Sequence, residues 1–401
     1  MSPSPSHSAA GQALGYVHQV QWALVELIRR SATSPDTQLR IETLDDIEIT
    51  RADGHSEYTQ VKHQVIPASD LTENSVDLWR SLNVWMDAFG GQPMSAMPIL
   101  KLVTTASIPA GGALNALRAE DGRDIDAALD TLENAAREGG NQTTLPWREK
   151  FLNLETADRF ALLNAVSIDD ASPRARDVSV VLREALHFVL PRGHADTFIN
   201  YLLGWWTGIC VRLLDRSLPA ITAGDLDAHI SDLRDQFLPD NLPIDLSILV
   251  PISEEDAIPY RDRQFVQQLV WIALDEPRLW RAIRDYHRAW AQRSEWLRLN
   301  LVSEAELERF AFNLHDEWDY IFHERLAKMQ RETSPDSQIV GQEILERLSA
   351  ESKARLRYRL DEPWLNRGTL HSLADGWSGR TIGWHPDFAS KLAQLLGDVV
   401  A

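Results

Sequence analysis

Cysteine is almost missing from these 401 residues: the one thiol, Cys210, excludes an intramolecular disulfide framework and a thiolate zinc cluster. Its neighbours Trp205-Trp206-Thr207-Gly208-Ile209 are mostly apolar, which predicts a buried, inert thiol. No apolar run approaches the ~20 residues of a membrane-spanning helix, so no membrane association is expected. Met1 to Ala10 is rich in Ser and Pro and lacks the basic and then apolar order of a secretory leader. Residues 1–12 are therefore expected as a disordered tail, and the protein as cytoplasmic. Positive charge is scarce: 40 Lys and Arg face 59 Asp and Glu, a formal net charge of −19. A protein that simply coats nucleic acid relies on accumulated Lys and Arg, so the charge argues against that class. There is no G-x-x-x-x-G-K-[ST] phosphate loop and no G-x-S-x-G elbow, which excludes ATP hydrolysis and serine-hydrolase chemistry by those routes.

What is present is an ordinary globular composition, 44% hydrophobic and 25% charged, with length for two or three domains. Val17, Val20, Leu24, Leu27 and Ile28 recur at helical spacing and predict a helix over 15–30. Two strands are expected at 39–50 and 57–65, joined through the turn signal Arg51-Ala52-Asp53-Gly54. A helix at 77–89, a buried strand at 98–105 and a helix at 113–138 follow. Beyond Pro146 strand signals nearly vanish, and helices are expected at 147–164, 175–190, 194–216 and 224–237. A Pro-punctuated stretch, 238–259, reads as a linker. Two strong helices follow, 277–300 with Leu279, Ile283, Tyr286, Trp290 and Leu297 in one stripe, and 304–330 opened by the capping box Ser303-Glu304-Ala305-Glu306. The division is an α/β N-terminal domain, 13–220, and a mostly α-helical C-terminal domain, 221–401.

Chemistry points to the hairpin. Asp46 is followed fourteen residues later by Gln60, then Val61 and Lys62. Alternate residues of a strand share a face, so Gln60 and Lys62 project together while His63 points away. Asp46 offers a hard oxygen to Mg²⁺ (or Mn²⁺), and Gln60 Oε1 and the Val61 carbonyl offer further ones. Lys62 is a compact cation suited to orienting water or stabilising charge on a reacting phosphate. Glu42 sits near enough to ligate or orient, and Asp45 is equally eligible. The plainer reading is an exposed hairpin in which Asp45 and Asp46 mark a turn and Lys62 guards an edge. Charge tells against DNA binding by this region alone, since residues 1–110 carry seven Lys and Arg against twelve Asp and Glu.

Two stretches resemble known bacterial families. Gly15-Tyr16-x-x-Gln19, Glu42-x-x-Asp45-Asp46-Ile47 and Tyr58-Thr59-Gln60-Val61-Lys62 are similar to the double-stranded DNA endonuclease domain of anti-phage effectors. The resemblance implies a restriction-endonuclease-like PD-(D/E)xK fold in which Gln replaces the acid before x-K, with Asp46, Gln60 and Lys62 in the D, Q and K places. Asp285-Tyr286-His287-Arg288-Ala289-Trp290, Asn366-Arg367-Gly368-Thr369-Leu370-His371 and Gly383-Trp384-His385-Pro386 resemble the C-terminal domain of effectors from ABC-ATPase three-component systems such as Lamassu. That likeness implies an SMC-like ATPase and a small middle subunit as partners, which hold the nuclease inactive until foreign DNA is sensed. Arg367, His371, Trp384 and His385 also have a plainer role, tying the terminal segment to the helical core. The expectation is a Mg²⁺-dependent endonuclease acting on double-stranded DNA as a homo-oligomer. The alternative is a catalytically inactive adaptor or DNA-binding subunit of the same kind of complex.

Overall fold

The helical spacing after Gly15 forms α1, Ala9–Ser31, in a computed structural model that describes residues 9–42, 46–63, 70–119, 122–250 and 252–400. Trp22 to Ile28 are all buried, because α1 lies between the sheet and two further helices, whereas Val17, at the start of the expected stripe, is exposed. The chain divides into two units, residues 1–234 and 235–401.

In the first unit α1 leads into β1 (Gln38–Ile41), β2 (Ile47–Thr50) and β3 (Ser56–Lys62), then α2 (Val76–Phe89) and β4 (Ile99–Thr104). Next come α3 (Ile125–Glu138), α4 (Leu145–Asn153), α5 (Thr156–Ala165) and β5 (Val166–Asp169). The unit closes with α6 (Val178–Ala185), α7 (Ala195–Leu214), β6 (Ile221–Thr222) and α8 (Ala223–Gln236), which runs past the division. The sheet order is β5-β4-β3-β2-β1-β6; β3, β4 and β5 are parallel and the other pairs antiparallel. Leu78, Trp79, Leu82 and Trp85 of α2 pack on Leu100, Leu102, Val166 and Ile168 to make the core on one sheet face. This α/β arrangement is the expected one, with two corrections.

The single strand expected over 39–50 is two antiparallel strands, Ile41 opposite Ile47. Glu42 turns the chain with a left-handed φ of 55°, and its N–H donates to Asp46 O at 3.1 Å. Asp46 thus opens β2 at a turn instead of standing mid-strand. Strands also persist beyond Pro146. Val166-Ser167-Ile168-Asp169 is too short to show a period, yet it pairs with β4 because β4 would otherwise be an open edge. The residues 1–8 of the expected tail, and 64–65 of the expected second strand, lie outside the described residues.

The second unit contains α9 (Glu254–Ala257), α10 (Gln264–Trp271), α11 (Glu276–Arg298), α12 (Glu304–Met329), α13 (Ser337–Glu351), α14 (Pro363–Ala374) and α15 (Phe388–Val400) around one core. The Ser303–Glu306 capping box is present, and Leu307, Phe310, Leu314, Trp318 and Ile321 are all buried as their spacing predicts. On α11 the stripe is only partly right. Ile283 and Tyr286 are buried but Trp290 is exposed, and Ala289 and Trp296 take the inward positions. The expected linker is anchored: Trp296 Nε1 donates to Pro243 O at 2.7 Å, and Gln292 Oε1 accepts from Asp245 N at 2.9 Å. Among the described residues no helix is long and apolar enough to cross a membrane.

Cys210 is buried within α7, and burial pushes its thiol up to about 12. The native chain is therefore expected to take up no maleimide on a timescale that labels it fully in urea. Rapid labelling without denaturant would contradict this packing.

Candidate active site

The parallel ladder between β3 and β4 continues to Lys62–Thr104, whereas the antiparallel ladder between β2 and β3 stops at Ile47–Thr59. Gln60, Val61 and Lys62 therefore run past the end of β2. Backbone groups alternate sides along a strand, so Val61 presents its N–H and C=O on the side that β2 has vacated. A buried N–H needs an acceptor, and the Asp46 side chain supplies it: Oδ2 accepts from Val61 N at 2.7 Å. The same Oδ2 lies 3.8 Å from Lys62 Nζ, and the two side chains are 24% and 17% exposed. An acid and an ammonium thus meet at a rim open to water and to a substrate.

Gln60 and Lys62 share a strand face as expected, but they end in different surroundings. Gln60 is buried, and its Oε1 accepts from Ser81 Oγ of α2 at 3.2 Å. Tyr58, on the same face, meets Phe89 of α2 with ring centroids 5.1 Å apart. His63 lies on the other face, its ring 5.1 Å from that of His18 on α1, and burial lowers the pKa of both imidazoles.

Glu42 is exposed, and its Oε1 accepts from Gln19 Nε2 at 3.2 Å. That same Nε2 donates to the Asp46 carbonyl at 2.8 Å. Tyr16, one helical turn earlier, has a buried hydroxyl with no hydrogen-bond partner among the described residues; burial first, then Cys210 and Glu42, push it up to about 12. Asp45 lies outside the described residues. The structure therefore brings Asp46, Lys62, Val61 and Glu42 together, and adds Gln19, whose contact with the turn no spacing announced. Its sequence signal is its place in the Gly15-Tyr16-x-x-Gln19 stretch, which carries the resemblance but names no contact.

Among the described residues no three His, Cys, Asp or Glu side chains gather as a metal cage. The donors at hand are two carboxylates, Asp46 and Glu42, with amide and carbonyl oxygens beside them. That set suits Mg²⁺, which binds through one or two carboxylates and keeps several of its waters, and it does not suit zinc, which favours nitrogen and sulfur.

A second polar feature, which the sequence did not signal, lies against α1 at the end of β5. A cavity of about 120 Å³ is lined by His18, Gln21, Trp22, Arg29, Asp169 and Arg174 among others. Burial raises the Asp169 pKa, against the opposing pull of Lys101, whose Nζ lies 3.8 Å away.

In the helical unit Arg367 Nε donates to Asp285 Oδ2 at 2.6 Å, His385 Nδ1 accepts from Asp387 N at 3.0 Å, and His371 and Trp384 are buried. Burial drives the His371 imidazole down to about 4, so it is neutral at physiological pH.

Residues 10–82 match the family model of the Cap4 dsDNA endonuclease domain. Residues 265–392 match that of C-terminal domain 7 of the ABC-three component (ABC-3C) systems. Among solved structures the chain is similar to the Cap4 SAVED/CARF-domain containing receptor of Moraxella osloensis, at 16% identity over 70% of this chain and 68% of that one, with a TM-score of 0.36. It is also similar to the Acinetobacter baumannii Cap4 SAVED/CARF-domain containing receptor with the cyclic trinucleotide 3'3'3'-cAAA, at 15% identity over 65% and 58% of the two chains, with a TM-score of 0.33. No curated protein matches the chain.

Proposed function

We propose that this chain is a metal-dependent DNA endonuclease, the effector of a bacterial anti-phage complex, with a PD-(D/E)xK-type site in its α/β unit. The observation that carries the reading is the Asp46–Lys62 pair at the free end of β3, 3.8 Å apart, inside the stretch that matches a double-stranded DNA endonuclease domain. The match of residues 265–392 to a C-terminal domain of ABC-three component systems supports a role in a multicomponent complex. An SMC-like ATPase and a small middle subunit are the partners this reading assigns, with the effector restrained until it is released and oligomerises. So acidic a chain gains DNA affinity by assembly or from a basic partner.

Asp46 would hold Mg²⁺, with Glu42, the Val61 carbonyl and the Gln60 amide oxygen as further oxygens. When bound, the metal supplies Lewis-acid charge at the phosphate and lowers the pKa of a coordinated water. Lys62, already oriented by the Asp46 carboxylate, directs the attacking water or balances negative charge that grows on the phosphoryl oxygens. Val61 N–H fixes the Asp46 rotamer, so the carboxylate is ordered before a metal arrives.

The test is calorimetric titration of the full chain with Mn²⁺. Binding is expected for the natural sequence and should vanish in Asp46→Asn. No binding in any assembly state would favour the inactive adaptor instead.

A further inference from the structure

Gln19 makes two contacts that the site's chemistry has not yet used. Its side chain is 6% exposed, and one nitrogen, Nε2, donates both to the Asp46 carbonyl at 2.8 Å and to Glu42 Oε1 at 3.2 Å. The Asp46 carbonyl thereby accepts two N–H groups, since Glu42 N also donates to it at 3.1 Å. These bonds pin Glu42 to Asp46 where the chain passes from β1 to β2, and so fix Asp46 at the end of β3. Glu42 itself sits in a left-handed conformation that a side-chain-bearing residue adopts at a cost, and only surrounding contacts hold it there. Gln19 comes from α1, whose middle is fixed by burial from Trp22 to Ile28, so the pin has a rigid base.

We propose that Gln19 is a positioning residue for the metal-binding acids, a neutral clamp that holds Glu42 beside Asp46 without cancelling their charge. This rests on the nuclease reading of the same site. Charge is the reason for an amide here. A lysine or arginine would order the two acids equally well but would compete with a divalent cation for their negative charge. An amide N–H orders one carboxylate and one peptide group and leaves both formal charges in place for the ion. Oδ2 of Asp46 is spent on Val61 N, so the position of its backbone decides where the other carboxylate oxygen points. A residue acting through another ligand in this way typically changes metal affinity ~10- to 100-fold.

The experiment is Mn²⁺ calorimetry on the full chain for the natural sequence, Gln19→Met, Asp46→Asn and the double variant. Gln19→Met keeps the length of the side chain and removes the donor. It is expected to weaken Mn²⁺ binding about tenfold or more while shifting the melting temperature by less than about 5 °C. In the Asp46→Asn background it should change nothing further, because the clamp acts through Asp46. Should Gln19→Met fail to fold, Gln19→Asn retains a buried amide, withdraws the donor and should give the same weakening. Unchanged affinity in a folded Gln19 variant, with binding abolished by Asp46→Asn, overturns the clamp alone. Unchanged affinity in Asp46→Asn, or no binding by the natural chain, overturns the nuclease reading and the clamp with it.

Discussion

Lys62→Ala is expected to reduce plasmid cleavage by the activated complex by about two to three orders of magnitude, the usual cost of removing one preorganised charge at a reacting centre. Asp46→Ala should lose at least as much, because it removes the carboxylate that orders Lys62 and accepts the Val61 N–H. The Lys62 loss should not come from unfolding, and Asp46→Ala costs the fold about 1–3 kcal/mol by leaving the Val61 N–H unpaired. Lys62 is the last residue of β3 and its ammonium is at the rim, so the fold gives up one partly exposed ion pair, about 1 kcal/mol or less. Conversion of supercoiled plasmid to linear product, measured on variants that remain folded at the assay temperature, checks both. Wild-type rates for the two together would remove the proposed site. A dilute isolated chain should cut poorly in any case, given its net charge of −19.

Gly368→Ala should be the most damaging single methyl in the helical unit. Helices α11 and α14 approach so closely there that a Cβ on residue 368 would stand 1.9 Å from the Asp285 carbonyl oxygen and 2.6 Å from Ala289 Cβ. The first neighbour is backbone of a buried helix, which no rotamer change can move. The adjacent Arg367–Asp285 pair ties the same two helices, so separating them also stretches an ion pair whose acid is buried. A loss of roughly 4 kcal/mol is expected, a large share of the ~5–15 kcal/mol that stabilises an ordinary domain. Urea unfolding of the natural and substituted chains measures it. A midpoint unchanged by Gly368→Ala would mean that the helices do not cross at this residue.

Legibility in the sequence followed the range of the forces. Helices α2, α7, α8, α11 and α12 begin and end within a residue or two of their predicted limits. Apolar period and caps such as Ser303–Glu306 act within a turn or two of the chain. Strand β5 escaped notice because four residues carry no readable period and its pairing with β4 is a long-range choice. The break between β1 and β2 escaped for a related reason: Asp46 reads as one more strand residue until its carbonyl is claimed by Glu42 and Gln19. Trp290 looked like core by spacing, but the smaller Ala289 faces inward because α14 lies too near for an indole.

By itself the sequence offered Asp46, Gln60, Lys62 and Glu42 as candidate residues at the hairpin, and predicted that the fold passes from α/β to all-helical along the chain. Residue type and local period suffice for that, since hard oxygens, an ammonium and helical stripes are written in the residues themselves. Only the tertiary structure decided how those groups are placed. It ended β2 one rung early, so that Val61 N–H turned to the Asp46 carboxylate, and it laid α2 over Gln60 while leaving Lys62 at the rim. It also brought Gln19 from α1 onto the turn, 27 positions away from Asp46 in the chain. Hydrogen-bond satisfaction of buried backbone sets these choices, and it depends on which elements pack together instead of on what neighbours what in the sequence.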